Sequence, residues 1–439
     1  MTSQSSTDDR PFTIAIVGGG LGGLALAVGF LKHNISFRIY EAAPTFAEIG
    51  AGIAFGPNSI RALGLIDQRL LEGYRKHAAF NESPDKSKTF MTTILGTDLR
   101  ASNKDEAVRG KAGDVIWRLD DMDELDAWTG LKTRSCIHRA RLLEEFAALI
   151  PPDVASFNKA LDDIEELEDG SGVRLHFSDG TSAFASAVIG CDGIKSKTRV
   201  SICGKLEPQF AEGYAYRAMI SRSEFENIFD NEAAGNGTIY WGYGGYSIHY
   251  PVEKGNYINM FALVCKPGLK WDDKEWQVPA SKEEMMKDLS GWDPRISHGL
   301  LLNPKIEKWA LFHLPHSDPY YKGRICIMGD AAHATTPHLG AGAGMAMEDA
   351  FILSNLVGQA STASDLERAF MAYDSVRRPR TQVVIESSLL AGMEYAFRGE
   401  GVGDDIEQLT TIIRKRFYEL WHLHLVADLE SAKEIMATS

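Results

Sequence analysis

The sequence predicts an α/β protein: a doubly wound parallel-sheet half, interrupted by an inserted antiparallel β-sheet and closed by C-terminal helices. Three observations predict it. Near the N-terminus an apolar strand, a cluster of glycines, a helical run and a second strand follow one another in the order of a βαβ unit. Two later apolar runs, 187–190 and 324–328, each end in glycine and aspartate. Between them, residues 213–264 alternate and are rich in aromatics, which is the pattern of half-buried strands.

Length and composition bound the rest. The chain has 439 residues, 44% of them hydrophobic and 24% charged, so disorder, collagen and coiled coil are poor descriptions. The length suits two or three domains, or one large body carrying an insertion. With 46 Lys and Arg against 60 Asp and Glu the formal charge is −14, and no basic run offsets it, which argues against a nucleic-acid partner. Small-molecule chemistry is the default. The five cysteines, 136, 191, 203, 265 and 326, include no C-x-x-C pair and read as reduced thiols of a cytoplasmic protein. Residues 13–31 carry no charge, but their six glycines argue against a membrane span. The first ten residues are polar and read as a loose tail.

The first unit starts with the strand Thr13–Val17 and meets Gly18-Gly19-Gly20-Leu21-Gly22-Gly23. A helix is predicted from about Leu24 to Lys32, then a strand over 36–40 that ends in Glu41. Gly18 permits the tight turn, Gly20 lets backbone approach a pyrophosphate, and Gly23 lets helix and strand pack closely. The phosphates would sit on the helix N-terminus, where N–H groups without partners and the helix dipole favour negative charge. Glu41 would accept hydrogen bonds from ribose hydroxyls and would repel a 2′-phosphate. The unit is a Rossmann-like dinucleotide site.

The middle is less regular. Residues 60–65 read as a short helix, while 74–121 give no clear assignment. A helix is predicted over 138–149, with Arg139 near its start. Residues 173–177 and 184–189, joined through Ser178-Asp179-Gly180, predict a hairpin. Strands are expected over 214–220, 237–242, 247–252 and 257–264, helix over 282–289, a buried strand over 324–328, and helices through the last sixty or so residues.

Two further glycine–acid elements follow apolar strands: Cys191-Asp192-Gly193, and Gly329-Asp330-Ala331-Ala332-His333 with Pro337 and Gly340-Ala341-Gly342-Ala343-Gly344 after it. Either Asp alone would be an ordinary strand-end turn. With the N-terminal unit, the three in order resemble the single-component flavin-dependent aromatic hydroxylases, the family of salicylate and p-hydroxybenzoate hydroxylases. Within that family the chain looks closest to a fungal salicylate-hydroxylase-like branch that includes enzymes dearomatising phenols in polyketide tailoring.

The resemblance runs from about Phe12 to about Thr381 and implies a division of the chain. A tail (1–11) precedes a discontinuous FAD-binding domain (12–205 and 318–385), a substrate-binding β-sheet domain (206–317) and C-terminal helices (386–439). It also assigns residues. Gly18, Gly20, Gly23 and Glu41 match the ADP-binding fingerprint. Gly50-Ala51-Gly52-Ile53-Ala54 matches the segment beside the flavin, which brings in Gly52 and Ala54. Arg139 matches an arginine that contacts the cofactor, Asp192 the motif linked to both FAD and NAD(P)H, and Asp330 the acid of the ribityl chain. Arg377-Arg378-Pro379-Arg380 fits the C-terminal pattern.

The implied reaction is hydroxylation of a phenol. NADPH or NADH reduces FAD, O₂ adds to give a C4a-hydroperoxyflavin, and one oxygen passes to a ring carbon ortho to the phenol, with dearomatisation or decarboxylation as alternative outcomes. N–H groups over 340–344, Gly342 and Ala343 among them, could stabilise charge on reduced flavin, and Pro337 could shape the oxygen pocket. Holding a phenolate calls for a fixed cation and a hydroxyl on the substrate sheet. Arg217 and Tyr250 are the candidates, with Tyr240, Trp241 and His249 second. Against them stands the reading in which Arg217 pairs with a surface acid and Tyr250 fills core.

No metal is expected: the pairs His313/His316, His333/His338 and His422/His424 lack a clustered Cys or acid. The acid-rich stretch 162–169 reads as a solvated turn. The aromatic and aliphatic residues near Phe417 and Trp421 either pack on the body or form a dimer face, so monomer and homodimer both stay open. Two other functions also fit the first unit: an FAD- or NAD-dependent oxidase or dehydrogenase that inserts no oxygen, and a non-catalytic dinucleotide-fold binding protein. Gly329-Asp330 counts against NAD alone, which has no ribityl chain to bind.

Overall fold

The computed structural model describes residues 11–47, 52–100, 110–120, 135–316 and 318–438. The tail 1–10 and the pair Gly50-Ala51 lie outside the described residues. The first unit forms as the sequence predicts. Strand Thr13–Val17 pairs in parallel with Ser36–Tyr40 on one side and Ala187–Gly190 on the other. A six-stranded sheet results, in the order 321–322, 325–327, 187–190, 13–17, 36–40, 155–156. Ile14 and Ile16 face one core cluster and Ala15 and Val17 another, as a parallel strand covered on both faces requires. The helix spans Leu21–Lys32, three residues earlier than expected, because Gly20 in extended conformation already serves as its N-cap.

The predicted hairpin is split. Val173–Phe177 pairs antiparallel with Ser182–Ala185 and not with the whole run to 189. From Ala187 the chain enters the six-stranded sheet, where strand 13–17 offers a fully buried neighbour. Both partners are apolar, so local pattern alone does not show the change of sheet.

The second sheet has eight strands, in the order 277–279, 307–313, 209–221, 257–265, 245–252, 238–242, 89–95, 115–120. It is antiparallel except where 238–242 lies parallel to 89–95. Two corrections follow. Residues 89–120 contain the strands Thr89–Leu95 and Val115–Asp120, which the sequence left unassigned and grouped with the first half. Their pairing puts them in the second sheet, so that sheet is mixed and not one uninterrupted insertion. Thr89, Thr92 and Thr93 are buried, and this polar but β-branched content hid the strand from an apolar pattern.

A two-stranded ribbon, Gly52–Phe55 with Ser135–His138, stands between the sheets. Helices Gly342–Val357 and Asp365–Tyr395 cross behind the first sheet, and Leu425, Leu429, Ala432 and Met436 of the last helix join that core. Phe417, Leu420 and Trp421 of Ile406–Trp421 join the core of the second sheet. The C-terminal aromatic cluster is thus packed on the body. No helix among the described residues is long and apolar enough to cross a membrane.

Candidate active site

A cavity of about 850 Å³ lies between the carboxyl ends of strands 13–17, 187–190 and 325–327 and the inner face of the eight-stranded sheet. Open α/β sheets place ligands outside the carboxyl ends of their strands. The glycine loop lines one end. Gly18 has φ +101°, and a Cβ there would stand 2.5 Å from the Cys191 carbonyl oxygen; a Cβ on Gly23 would stand 2.1 Å from that of Gly18. These are the close approaches that the motif's spacing predicts. Glu41 holds the loop in place by accepting hydrogen bonds from the N–H groups of Gly19 at 2.6 Å and Ala43 at 2.7 Å.

The opposite end of the glycine-rich wall is the helix Gly342–Val357. No side chain caps its start, so N–H groups of its first turn have no intrahelical partner, and Gly342 and Ala343 line the cavity there. Asp330 is exposed on the cavity wall, directly after Gly329 with φ +60°. Asp192 also lines it, but its carboxylate is taken up locally, accepting from Ser196 Oγ, the Thr198 hydroxyl and the N–H groups of Lys197 and Thr198. Arg139, Gly52 and Ala54 complete this half.

The other wall is a grid of inward-facing side chains. Register places Arg217 opposite Phe261 and Phe261 opposite Ile248, while Tyr250 stands opposite Asn259 and Tyr246 opposite Leu263. Period-2 alternation therefore sends Tyr246, Ile248 and Tyr250 to one face. The Arg217 guanidinium lies over the Trp309 ring, 5.0 Å from its centre, and no carboxylate among the described residues comes within ion-pair distance of it. Burial lowers the Arg217 pKa, the Tyr250 oxygen opposes that change, and Arg139 adds to it, so the three groups share one electrostatic neighbourhood.

The chain has well-covered relatives among known proteins. Residues 12–388 match the family described as FAD binding domain. The chain is 35% identical over 432 residues to 6-methylsalicylate 1-monooxygenase of Aspergillus terreus, covering 97% of this chain and 92% of that protein. It is 33% identical to salicylate hydroxylase of Pseudomonas putida, covering 96% and 94%. A solved salicylate hydroxylase substrate complex superposes with a TM-score of 0.82 at 28% identity, covering 96% and 98%. The chain belongs to the FAD-dependent aromatic monooxygenases of salicylate-hydroxylase type.

With that membership the oxidase, dehydrogenase and non-catalytic readings give way. The residues present fit FAD: a glycine cradle that any Cβ would fill, an uncapped helix start, and an open carboxylate at Asp330 for ribityl hydroxyls. Phe261, Leu263, Ile248 and Ile239 give the sheet wall of the cavity an apolar stretch.

The second-rank candidates are corrected. His249 and Tyr240 face away from the cavity, because each sits one residue from a cavity-facing neighbour on its strand. They pack with Phe229, and His249 Nε2 lies 3.1 Å from the Ala233 carbonyl oxygen. Trp241 shares the face of Ile239 but is covered by Tyr395, on which it stacks, and does not line the cavity. Sequence reasoning missed Asn259, Trp309, Tyr246 and His338. The signal for Tyr246 was its spacing of four from Tyr250 on a strand; Trp309 gave none, since its strand was not assigned. Also missed is a buried charge cluster. Arg377 donates to Glu348 and Asp349, each at 2.8 Å, while Asp349 accepts from the Gly329 N–H at 3.0 Å and lies 2.5 Å from His333. Arg377 thereby props the Gly329-Asp330 turn through helix 342–357. Outside the cavity, ligand atoms of Cys203, His316 and Asp318 come within 4.8 Å of one another, a grouping none of the histidine pairs suggested.

Proposed function

We propose that the protein uses NAD(P)H and O₂ to hydroxylate a phenolic ring bearing an ortho carboxyl or acyl group. One observation carries this reading: Arg217 offers a guanidinium without a carboxylate partner to a cavity whose remaining sheet wall is largely apolar. A fixed cation there lowers the cost of burying a phenolate, and only an electron-rich ring accepts an electrophilic oxygen readily. FAD, reduced by NAD(P)H, supplies the oxygen transfer: one atom of O₂ enters the ring and the other leaves as water.

The chain's own residues bind and orient. Arg217 holds the phenolate and the neighbouring carbonyl or carboxylate oxygen. Tyr250 stands in the same electrostatic neighbourhood, its hydroxyl now donating to the Gly52 carbonyl at 2.8 Å, and its role is to transfer that hydrogen bond to the phenolate. Phe261 and Leu263 exclude water from the ring. Gly18, Gly20, Gly23 and Glu41 hold the adenosine end, Asp192 and Asp330 the middle, and Gly52, Ala54, Arg139, Gly342 and Ala343 the flavin.

The relatives that act on salicylate and 6-methylsalicylate make these the first substrates to test. Product masses would be measured with NADPH and with NADH from salicylate, 6-methylsalicylate and an acyl resorcinol. Gain of one oxygen with carbons retained supports ring hydroxylation or dearomatisation, and gain of oxygen with loss of CO₂ supports the decarboxylating outcome. Consumption of NAD(P)H to peroxide with no oxygen in any product would reject the substrate class.

A further inference from the structure

Strand Gly245–Val252 carries two tyrosines into the cavity, and only one of them has a role so far. Tyr246 and Tyr250 are four residues apart on one face, so their backbones stand about 13 Å apart along the strand. Ile248 lies between them, with Phe261 and Leu263 beside it on the next strand. The wall thus has two polar ends and an apolar middle.

The two ends differ in their surroundings. Tyr250 is electrostatically coupled to Arg217 and bonded to Gly52. Tyr246 has neither partner. Its hydroxyl lies 3.0 Å from His338 Nδ1, within a buried aromatic cluster that includes Tyr395 and Phe261. His338 also lines the cavity, on the turn Pro337–Leu339. Burial drives the His338 pKa down to about 3 and holds that of Tyr246 far above its usual value, so both are neutral at working pH. In a neutral imidazole Nδ1 either accepts a hydrogen bond or carries the proton and donates one, depending on the tautomer. In the first state the Tyr246 oxygen accepts from a ligand hydroxyl, and in the second its O–H donates to a ligand carbonyl.

We propose that Tyr246, oriented by His338, anchors a second oxygen substituent on the side of the aromatic substrate away from the group held by Arg217. The proposal rests on the hydroxylase reading above and narrows its substrate class: the ring carries, besides the ortho pair at Arg217, a hydroxyl or carbonyl at its far side. A plain salicylate would fill the apolar middle and leave a buried donor–acceptor pair without a ligand partner, the arrangement by which a polar site rejects an analogue lacking the matching group.

Binding to the FAD-loaded protein, read from the flavin absorbance change, separates this from turnover. The probes are 2,4-dihydroxybenzoate, salicylate and 4-methylsalicylate, which differ only at the far position. Wild type should bind the dihydroxy compound roughly tenfold more tightly than either of the others, the size of one well-placed hydrogen bond. Tyr246→Phe should abolish that preference while leaving salicylate affinity and flavin content unchanged, and His338→Gln should reduce it. Equal affinities in wild type, binding of none of the three, or a preference that survives in Tyr246→Phe would each overturn the anchor. Should the preference appear and depend on Tyr246 while no product gains oxygen, the anchor stands and the hydroxylase reading fails.

Discussion

The Tyr250 hydroxyl donates to the Gly52 carbonyl at 2.8 Å, while Gly52 N–H donates to Asn259 Oδ1 at 3.3 Å. A Cβ on Gly52 would stand 2.7 Å from the Tyr250 ring and 2.9 Å from Asn259 Cβ, so no larger residue fits without displacing them. Two residues of the eight-stranded sheet thereby grip the strand Gly52–Phe55, the segment proposed to hold the flavin.

Tyr250→Phe keeps the ring and removes this tie. The Gly52 carbonyl loses its donor, at a cost of about 1–2 kcal/mol in stability. Oxygen transfer per NAD(P)H oxidised should fall while FAD stays bound, measured as the ratio of product to peroxide. Unchanged coupling would show that the Tyr250 hydroxyl does not serve the phenolate.

Arg217→Met and Asp330→Ala should have separable effects. The first removes the substrate cation and should leave a yellow protein with strongly reduced oxygen transfer. The second removes a carboxylate exposed to the cavity and should weaken FAD retention, seen as flavin lost on gel filtration. Normal product formation by Arg217→Met would take Arg217 out of the reaction, and a fully yellow Asp330→Ala would count against the cofactor assignment.

Arg377→Met leaves Glu348 and Asp349 buried without their shared cation. Removing one partner of a buried ion pair typically costs about 3–5 kcal/mol, and here His333 beside Asp349 and Asn58 beside Glu348 keep the loss toward the lower end. The unfolding midpoint in urea should drop accordingly, and FAD affinity should drop with it, since Asp349 also accepts from the Gly329 N–H. An Arg377→Met protein as stable as wild type would contradict the cluster's role.

Acid should destabilise the fold in a defined window through His338. Its pKa falls from 6.5 in the unfolded chain to about 3 in the folded one. Above pH 6.5 both states are neutral there and stability is full. Between 6.5 and 3 the unfolded chain binds the extra proton, so stability falls by about 1.4 kcal/mol per pH unit from this group, and below 3 the loss ends. Asp349, lowered from 3.8 to about 2, adds its loss only below 3.8. The thermal midpoint of His338→Gln should accordingly vary less than that of wild type between pH 7 and 4.5.

Much of the cofactor half could be read from the chain because its constraints are local. Gly18 is dictated by a turn and Gly23 by a close backbone approach within a few residues, and Glu41 follows the next strand. Asp192 and Asp330 follow apolar strands in the same way. Arg217 and Tyr250 are singled out because a phenolate calls for a fixed cation and a hydroxyl and because the resemblance implies such a pair, and the fold brings both to the cavity wall. The errors arise where the determining contact is distant. Whether Tyr240 and His249 turned inward depended on strand register, and the strand at 89–95 exists because 238–242 lies beside it, nearly 150 residues later.

By itself, then, the sequence determined the α/β class and the dinucleotide unit, which follow from short-range sterics and periodicity, and its three glycine–acid motifs carried the resemblance to the family. Tertiary structure alone decided which sheet residues 89–95, 115–120 and 187–190 join, which charges Arg377 neutralises, and how Tyr250 meets Gly52 and Tyr246 meets His338. Those pairings satisfy buried polar groups across long stretches of chain, and the partner of a buried donor is set by where the folded backbone brings an acceptor, which no local pattern records.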